Sequence, residues 1–526
     1  MNPAAADAKR STRRVLIWHG YLLRGTGSNV YNASLAQALA RLGHDVHLMC
    51  QDRGAGELPW VDRTGVWERG ELRLSAHEPA AGRVNSGTVT AYVPDIGGLL
   101  PVYVYDRYEG FEVKTFGELT DEELDAYIAA NVAAARDVVS AADGVDAALA
   151  NHLVMGPLIL ARGGLRFAGK IHGSALEFTV RPNPRFLPHA EEGMRAAAAV
   201  LVGSRHTAES LWATLEGLDD LPAKTRLGPP GVDTELFAPR PPADAIVEVR
   251  RLAAELATAG TDEWGRDCAR AASALEAWAG AEGPRVVVVG KLIASKGIDL
   301  LLAAWPLVAS ANPGARLLVI AFGEGQEVIE SLLAALEDGD VDTARAIAAS
   351  GLVTAEADPV PLRMLDSFLA RAPAGYAEAA RAASRTISLA GRLEHGEVAR
   401  VLPASDALVF PSTFPEAFGM VAAEAASCGV LPIGADHSGI REVARELAAV
   451  VPAVLRELLS FPINDDAVVA IADRLNRWLA LPPAERRRVG EALPGRVREL
   501  WSWESVARRV LAASEGRLEE LPPVPE

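Results

Sequence analysis

The sequence is poor in cysteine and in long apolar runs. Its three cysteines, Cys50, Cys268 and Cys428, lie far apart among 526 residues and match no zinc-binding spacing. This argues against a disulfide framework or a cysteine-built metal site, and it favours a reducing compartment. No apolar run approaches the roughly 20 residues that span a bilayer, so we predict no membrane helix.

Positive charge is also in deficit, because the formal net charge is -17. A protein that binds nucleic acid without sequence preference needs a basic surface, so we expect no nucleic-acid partner. A local basic pocket for phosphate groups remains compatible with this balance. Residues 1–14 are polar and no long apolar segment follows them, so we expect no secretory signal and a cytoplasmic location.

The order of apolar segments predicts a parallel sheet in the first part of the chain. Residues 15–18 have the pattern of a buried strand, residues 30–42 have apolar residues at helical spacing, and residues 46–49 form the next strand candidate. Such a βαβ unit predicts parallel strands joined by right-handed crossovers. Further strand candidates lie at 145–150, 168–171 and 199–202.

Proline and glycine then mark a break. Residues 228–233 are rich in both and residues 239–242 are rich in proline, as linkers are, and residues 243–280 have a helical, polar pattern. A second βαβ series follows, with strand candidates at 285–290, 316–321, 386–389, 407–410 and 430–433. The segment 326–385 is longer than an ordinary crossover, so we predict a helical insertion there.

The predicted fold class is therefore α/β, with two doubly wound domains that face each other across a cleft. We place the first domain at residues 1–228, a linker with a helical insertion at 229–284, and the second domain at 285–497. Ligands of open parallel sheets bind beyond the carboxyl ends of the strands, so functional residues are expected directly after strands.

Two glutamates follow one strand candidate of the second domain. Glu416 lies in the turn after residues 407–410, and Glu424 lies about two turns into a helix that begins near Phe418. Carboxylates accept hydrogen bonds from vicinal hydroxyls, so one can hold a sugar and the other a ribose. The helix N-terminus offers free N–H groups to a diphosphate. A helix-start glutamate and an unrelated exposed glutamate would give the same spacing.

Residues 410–434 resemble the donor-binding segment of retaining glycosyltransferases of family 4, the group akin to glycogen and sucrose synthases. The shared pattern is Glu, seven residues, Glu, and then Gly before a short strand, met here by Glu416, Glu424 and Gly429. The resemblance extends over most of the chain. It implies a GT-B fold of two Rossmann-like domains, a nucleoside-diphosphate sugar donor, retention of anomeric configuration, and no required metal or other cofactor.

Two lysines follow the first strand candidate of the second domain. The resemblance implies that Lys291 and Lys296 stabilise the charge of the departing nucleoside diphosphate. The family usually has arginine at the position of Lys291, so this residue keeps the charge and loses the planar guanidinium. Two ordinary surface lysines would give the same pattern.

Two further matches lie in the first domain. The resemblance implies that His172 contacts and orients the sugar near the reacting carbon, although a lone histidine is more often structural. It also implies that the glycine loop around Gly27 approaches the donor phosphate, although many turns between a strand and a helix contain glycine.

The remaining matches concern the donor site and the domain linkage. The implied donor-binding residues are Gly391, Arg392 and Leu393 at the base, Phe418, Gly419, Met420 and Val421 at the helix start, and Ser438 and Gly439 near the donor sugar. Ser438 replaces a glycine that the family usually has, which suggests an altered donor preference. Residues 231–237 match the family's interdomain linker, and a helix at about 498–515 is expected to cross back onto the first domain.

The predicted activity is front-face transfer of a hexose from a nucleoside-diphosphate sugar to an acceptor hydroxyl, catalysed by His172, Lys291, Lys296 and Glu416. The alternatives are a nucleotide-sugar epimerase, a glycan phosphorylase that would carry pyridoxal phosphate, or an inactive nucleotide-sugar-binding protein. The expected partners are the donor and a small-molecule or glycan acceptor. No basic amphipathic helix supports membrane association, and the sequence leaves the donor base and sugar, the acceptor and the oligomeric state open.

Overall fold

The computed structural model describes residues 12–25, 27–77, 86–103, 110–259, 266–353 and 359–525. The chain divides into two compact units: unit 1 comprises Met1–Gly231 and Trp503–Glu526, and unit 2 comprises Val232–Ser502. The sequence-based boundaries at 228 and about 498 lie a few residues earlier. The segment 229–284 has no unit of its own, because its two helices pack into the core of unit 2.

The described strands are, in chain order, β1 (Arg14–Trp18), β2 (Asp45–Met49), β3 (Arg63–Glu68), β4 (Glu71–Ala76), β5 (Val89–Val93), β6 (Leu99–Val102), β7 (Glu112–Thr115), β8 (Ala147–Asn151), β9 (Ala168–Lys170), β10 (Ala199–Val202), β11 (Thr225–Leu227), β12 (Arg285–Lys291), β13 (Arg316–Phe322), β14 (Leu352–Val353), β15 (Pro359–Val360), β16 (Ile387–Leu389), β17 (Ala407–Phe410), β18 (Leu431–Ala435) and β19 (Ser460–Phe461).

The described α-helices are α1 (Ser28–Arg41), α2 (Asp121–Ala141), α3 (Gly156–Arg162), α4 (Leu187–Ala196), α5 (Arg205–Thr214), α6 (Leu221–Lys224), α7 (Pro242–Thr258), α8 (Cys268–Ala279), α9 (Ile298–Ala311), α10 (Gln326–Glu337), α11 (Val341–Ser350), α12 (Arg363–Ala370), α13 (Tyr376–Ser384), α14 (His395–Val401), α15 (Met420–Ser427), α16 (Ser438–Ala448), α17 (Ala467–Leu479), α18 (Pro483–Gly490), α19 (Leu493–Trp501) and α20 (Trp503–Ser514). Within the described ranges, no helix is both long and apolar enough to cross a membrane.

Unit 1 is built on a nine-stranded sheet in the order β11-β10-β9-β8-β1-β2-β5-β3-β4. Its strands pair in parallel except β3 with β4, which are antiparallel. Both faces of the sheet are covered: Leu16 and Trp18 of β1 point into one hydrophobic cluster, and Val15 and Ile17 point into another. Two-sided burial explains why the central strands are continuous apolar runs rather than alternating ones.

The helix α20 belongs to unit 1 although unit 2 separates it from the rest of that unit in sequence. Val506 and Val510 lie in the same hydrophobic cluster as β1, and Ser514 Oγ donates a hydrogen bond to the carbonyl of Ala148, at 2.8 Å. The ring of Trp503 packs so closely on Gly231 that a Cβ on this glycine would lie 2.4 Å from it.

Unit 2 is built on a six-stranded sheet in the order β16-β13-β12-β17-β18-β19, and its strands pair in parallel. The predicted insertion at 326–385 contains α10 to α13 and the short β14–β15 pair. Tyr376 anchors α13 on α9, because its Oη donates to the carbonyl of Ala303 at 2.7 Å. Residues 354–358 of the insertion lie outside the described residues.

The strand order reverses once in each main sheet. The chain of unit 1 proceeds from β1 to β2 on one side and later from β8 to β9 on the other. The chain of unit 2 proceeds from β12 to β13 and later from β17 to β18. At such a switch point the loops after two adjacent strands separate to opposite faces of the sheet, which opens a crevice for ligands. The loops after β1, β8, β12 and β17 therefore define the candidate sites.

The sequence analysis identified ten of the described strands, namely β1, β2, β8, β9, β10, β12, β13, β16, β17 and β18, and missed the others. The strands β3 and β4 are mostly exposed or half-buried, so no apolar run marks them. In contrast, β5 is buried along four of its five residues and was also missed.

The first turn of α9 contains a buried carboxylate. Asp299 is 3% exposed, and within the described structure its Oδ1 has no hydrogen-bond partner. Burial raises the pKa of Asp299 to about 7. The unfolded chain has a carboxyl pKa of about 3.9, so the folded protein binds this proton more tightly. Its stability therefore falls as the pH rises from about 4 to about 7.

Asp299→Asn is expected to remove this dependence. At pH 8 the variant should be more stable than the natural protein by roughly 2–4 kcal/mol, and at pH 4 the two should be nearly equal. Urea unfolding between pH 4 and 8 measures the difference. Asp342→Asn is the matched control, because Asp342 also lies in the first turn of a helix but is exposed. Equal pH dependence of the natural protein and Asp299→Asn would contradict the assignment.

Candidate active site

A charged pair connects the loop between β17 and α15 to the loop that follows β12. Lys296 Nζ and Glu416 Oε1 lie 2.5 Å apart, and their side chains are 25% and 20% exposed. Ser412 Oγ lies 2.6 Å from the same carboxylate oxygen, to which it can donate. Lys296 follows β12 and Glu416 follows β17, so the pair lies at the switch point of the sheet in unit 2. The structure thus brings together two of the predicted catalytic residues.

Hydrogen bonds connect the loop that contains Lys296 directly to the loop that follows β17. The backbone N–H of Thr413 donates to the carbonyl of Ser295 at 2.8 Å, and Thr413 Oγ1 donates to the carbonyl of Ala294 at 3.1 Å. Gly297 has φ +61°, and a Cβ there would lie 2.0 Å from the carbonyl oxygen of Pro411. Glycine is therefore required where the two loops meet.

Ser438 fixes the backbone of Glu416. Ser438 Oγ accepts the N–H of Glu416 at 2.9 Å and lies 3.0 Å from Nδ1 of His437. The other nitrogen of His437, Nε2, lies 2.8 Å from the carbonyl of Ser412, which can only accept, so Nε2 donates to it. Ser438 has φ +50°, a conformation that favours glycine. Its hydroxyl contacts offset the strain of this backbone conformation.

The helix α15 begins beside this loop. Gly439 packs on the segment that precedes α15, so closely that a Cβ on this glycine would lie 2.6 Å from the Cα of Phe418. Phe418 is 9% exposed and packs edge-on against Trp501, with 5.4 Å between ring centroids. Gly419 is the N-cap, and Met420 and Val421 form the first turn, whose N–H groups have no partner within the helix. The predicted donor-binding residues of this segment are thus adjacent in the structure.

Glu424 lies in the second turn of α15 and is 4% exposed. Its Oε1 is 2.8 Å from Nε2 of His395, the first residue of α14, whose side chain is 54% exposed. Burial disfavours the charged form of His395, but the hydrogen bond and the charge of Glu424 outweigh this effect and raise the pKa of His395. The structure therefore places the side chain of His395 beside Glu424.

The remaining predicted donor residues lie at the ends of β12 and β16. Lys291 is the last residue of β12 and is exposed. Gly391 has φ +71°. The guanidinium of Arg392 lies over the ring of Phe322, 5.5 Å from its centroid, and 3.0 Å from a carboxylate oxygen of Glu394. Leu393 is 7% exposed.

His172 and Gly27 belong to unit 1. His172 follows β9, and its Nε2 lies 2.8 Å from Oδ1 of Asn151, the last residue of β8. Burial lowers the pKa of His172 well below its ordinary value, so the ring is neutral near pH 7. Gly27 is the N-cap of α1 with φ +60°. Thr26 of the same loop lies outside the described residues.

Sequence reasoning missed the partners that hold the predicted residues. These are Ser412 and His437 around Glu416, His395 beside Glu424, and Asn151 beside His172. Ser412 and His437 follow the strands β17 and β18 directly, so the rule that functional residues follow strands points to both. The contact between His395 and Glu424 joins residues 29 positions apart, and no local pattern signals it.

Residues 377–494 match the family Glycosyl transferases group 1. The matched segment contains the stretch from Glu416 to Glu424 and the residues at 391–393. It does not include Lys291, Lys296 or His172. Among curated protein sequences, none matches this chain.

Solved structures resemble the chain over nearly its whole length at low sequence identity. Sucrose-phosphate synthase from Thermosynechococcus elongatus is 19% identical, with a TM-score of 0.53 over 97% of this chain and 98% of that one. HepE from Anabaena in complex with UDP-glucose is 14% identical, with a TM-score of 0.51 over 97% and 100% of the two chains. The catalytic domain of starch synthase IV from Arabidopsis thaliana, bound to ADP and acarbose, is 13% identical, with a TM-score of 0.54 over 97% and 100%.

At these identities the likeness establishes the fold. The two parallel sheets, each with one switch point, form the two Rossmann-like domains of the GT-B architecture. The match to the group 1 family and the GT-B fold together support a glycosyltransferase.

Proposed function

We propose that this chain is a retaining glycosyltransferase that moves a hexose from a nucleoside-diphosphate sugar to an acceptor hydroxyl. The observation that supports this most strongly is the 2.5 Å contact between Lys296 and Glu416 at the switch point of unit 2. It places a cation and a hydroxyl-binding carboxylate side by side, next to the first turn of α15. Glu416 and α15 also lie within the segment that matches the group 1 family.

The donor diphosphate is expected to bind at the start of α15. The free N–H groups of Met420 and Val421 and the positive end of the helix dipole favour an anion there. Lys291 and Lys296 add two cations, so we propose that donor binding needs no metal ion. Two of the solved structures that share the fold are complexes with UDP-glucose and with ADP, which supports a nucleotide ligand for this chain.

The two glutamates are proposed to bind hydroxyl groups of the donor. Glu416 takes those of the transferred sugar and Glu424 those of the ribose. The contact with His395 uses Oε1 of Glu424, and it also holds the carboxylate in one orientation. Arg392 and the backbone of residues 391–393 are proposed to lie at the base.

The proposed chemistry is a front-face displacement. The bond between the anomeric carbon and the phosphate oxygen breaks, and the acceptor oxygen bonds to the same face of that carbon. The acceptor proton passes to the departing phosphate oxygen. Cations fixed beside the diphosphate stabilise the charge that develops in the transition state, and this is where we expect most of the rate enhancement.

Lys296→Ala and Glu416→Ala are expected to lower kcat/KM for transfer by about 100-fold each, because each removes a fixed charge from the reacting centre. The matched control is Lys114→Ala. Lys114 forms an equally short pair with Glu123, at 2.5 Å and with exposures of 31% and 29%, in unit 1. The control should change turnover by less than about two-fold. Near-normal turnover in both unit 2 variants would contradict the proposed site.

Replacing Ser438 separates the effect of its hydroxyl from that of its backbone. Ser438→Ala keeps a Cβ at positive φ and loses the contacts to Glu416 and His437, so we expect a loss of about 2 kcal/mol in stability. Ser438→Gly loses the same contacts but relieves the strain, so about 1 kcal/mol is expected. Donor affinity should fall in the same order. If Ser438→Gly is more stable than the natural protein, the hydroxyl contacts do not hold the loop.

The donor and the stereochemistry are open to direct measurement. A thermal-shift panel of uridine, guanosine and adenosine diphosphates and their glucose conjugates identifies the base. With the donor so chosen, NMR of the newly formed glycoside is expected to show the anomeric configuration of the donor. Addition of EDTA should leave the rate unchanged. An inverted product would overturn the retaining assignment, and loss of activity in EDTA would overturn the metal-free one.

A further inference from the structure

A continuous chain of side-chain hydrogen bonds crosses the strand ends of unit 1. It runs from the first turn of α1 to His172 and consists of Asn29, His19, Asn32, Asn151 and His172. The successive distances are 3.0 Å from Asn29 Oδ1 to His19 Nε2, 3.0 Å from His19 Nδ1 to Asn32 Nδ2, 2.8 Å from Asn32 Oδ1 to Asn151 Nδ2, and 2.8 Å from Asn151 Oδ1 to His172 Nε2.

Backbone carbonyls determine the orientation of the two central amides. Asn151 Nδ2 lies 2.9 Å from the carbonyl oxygen of Trp18, and Asn32 Nδ2 lies 2.8 Å from that of Ser28. A carbonyl oxygen can only accept, so the amide nitrogen of each side chain must face it. Each NH2 group then donates its second hydrogen along the chain, from Asn151 to Asn32 and from Asn32 to His19.

These orientations leave one protonation pattern for the two histidines. Because Asn32 donates to His19 Nδ1, the proton of His19 must lie on Nε2. That nitrogen is 3.0 Å from both Asn29 Oδ1 and the carbonyl of Leu22, which are both acceptors. Because both hydrogens of the Asn151 amide are donated elsewhere, its Oδ1 accepts from His172. The proton of His172 therefore also lies on Nε2.

Burial keeps both rings neutral. It lowers the pKa of His19 to about 4 and the pKa of His172 well below its ordinary value. The titratable groups that face His172 are His152, Lys170 and His19, and each disfavours its protonation further. Tyr31 and His152 pack against the ring of His172, with centroids 5.0 and 4.9 Å away. In the described structure no hydrogen bond involves Nδ1 of His172, which is thus a bare acceptor.

We propose that Asn151 is a positioning residue. Through its hydrogen bond to Asn32, which in turn bonds to His19, Asn151 holds His172 in the tautomer whose Nδ1 accepts a hydrogen bond from a hydroxyl of a sugar substrate. This rests on the proposed function for the identity of the ligand, whereas the tautomer itself does not. A neutral ring nitrogen that presents only a lone pair repels phosphate oxygens, so Nδ1 of His172 is suited to a hydroxyl group and not to a phosphate.

The tautomer can be observed without any activity assay. In a long-range 1H–15N NMR spectrum of the 15N-histidine-labelled full chain, protonated and bare ring nitrogens have well-separated shifts. The resonances of His172 are assigned by their loss in His172→Gln. Near pH 7 we expect Nε2 to be protonated and Nδ1 bare. A protonated Nδ1, in either the other tautomer or the imidazolium, would overturn the proposal.

Two asparagine variants then test the role of Asn151. Asn151→Ala should mix the two tautomers of His172 and lower kcat/KM by about ten-fold, the equivalent of one hydrogen bond. Asn131→Ala is the matched control. Asn131 is also buried in unit 1 and bonds to the Trp18 side chain and the carbonyl of Tyr127, but it lies outside the chain of bonds to His172. It should leave the tautomer unchanged. An equal effect of both variants on the tautomer would overturn the proposal.

The ligand is tested with the nucleotides themselves. UDP-glucose, GDP-glucose or ADP-glucose, as the thermal-shift panel selects, should move the Nδ1 resonance of His172, and the same diphosphate without sugar should not. A shift with the diphosphate alone would overturn the assignment of a sugar hydroxyl. If the tautomer is as expected but no acceptor yields product, the proposed function fails while the role of Asn151 stands.

Discussion

The candidate donor site depends on a contact that leaves no space for a side chain. A Cβ on Gly297 would lie 2.0 Å from the carbonyl oxygen of Pro411, so at this point the loops after β12 and β17 are in direct backbone contact. Because they touch, Lys296 and Glu416 reach each other although 120 residues separate them. Because β12 and β17 also pair in parallel, their carboxyl ends lie side by side, and this too brings the two loops close together. The charges are therefore positioned by backbone geometry, and their mutual attraction adds to a proximity that already exists.

In unit 1 the candidate site residues are held in place by a hydrogen-bond network rather than by a close backbone contact. Its strand ends contain neutral amides and imidazoles, and the direction of their hydrogen bonds follows from backbone carbonyls that cannot donate. The carbonyl of Trp18, for example, orients the amide of Asn151, and this amide in turn determines which ring nitrogen of His172 carries the proton. Buried networks of this kind are stable only when each donor meets an acceptor. His152 is an exception, because neither of its ring nitrogens has a partner in the described structure.

The sequence predicts the parts of this fold that follow from local pattern. Three kinds of feature can be recognised in the sequence: buried strands such as β12, glycines at tight turns, and the residues directly after strands. They are recognisable because burial and backbone conformation restrict the residue type. The polar strands β3 and β4 cannot be recognised in the sequence, since no apolar run marks them. Contacts such as His395 with Glu424 were missed because they depend on how distant helices pack. The tautomer of His172 depends on the positions of carbonyl oxygens, which the sequence does not encode locally.

The position of α20 determines when unit 1 can be completed. Its residues Val506 and Val510 fill the same cluster as Val15 and Ile17, yet the whole of unit 2 is synthesised between them. While the chain emerges from the ribosome, one face of the first sheet therefore stays uncovered by α20 until the second unit has been made. Unit 2 is continuous in sequence and has no such delay, so the half of the protein translated second is the first that can finish folding.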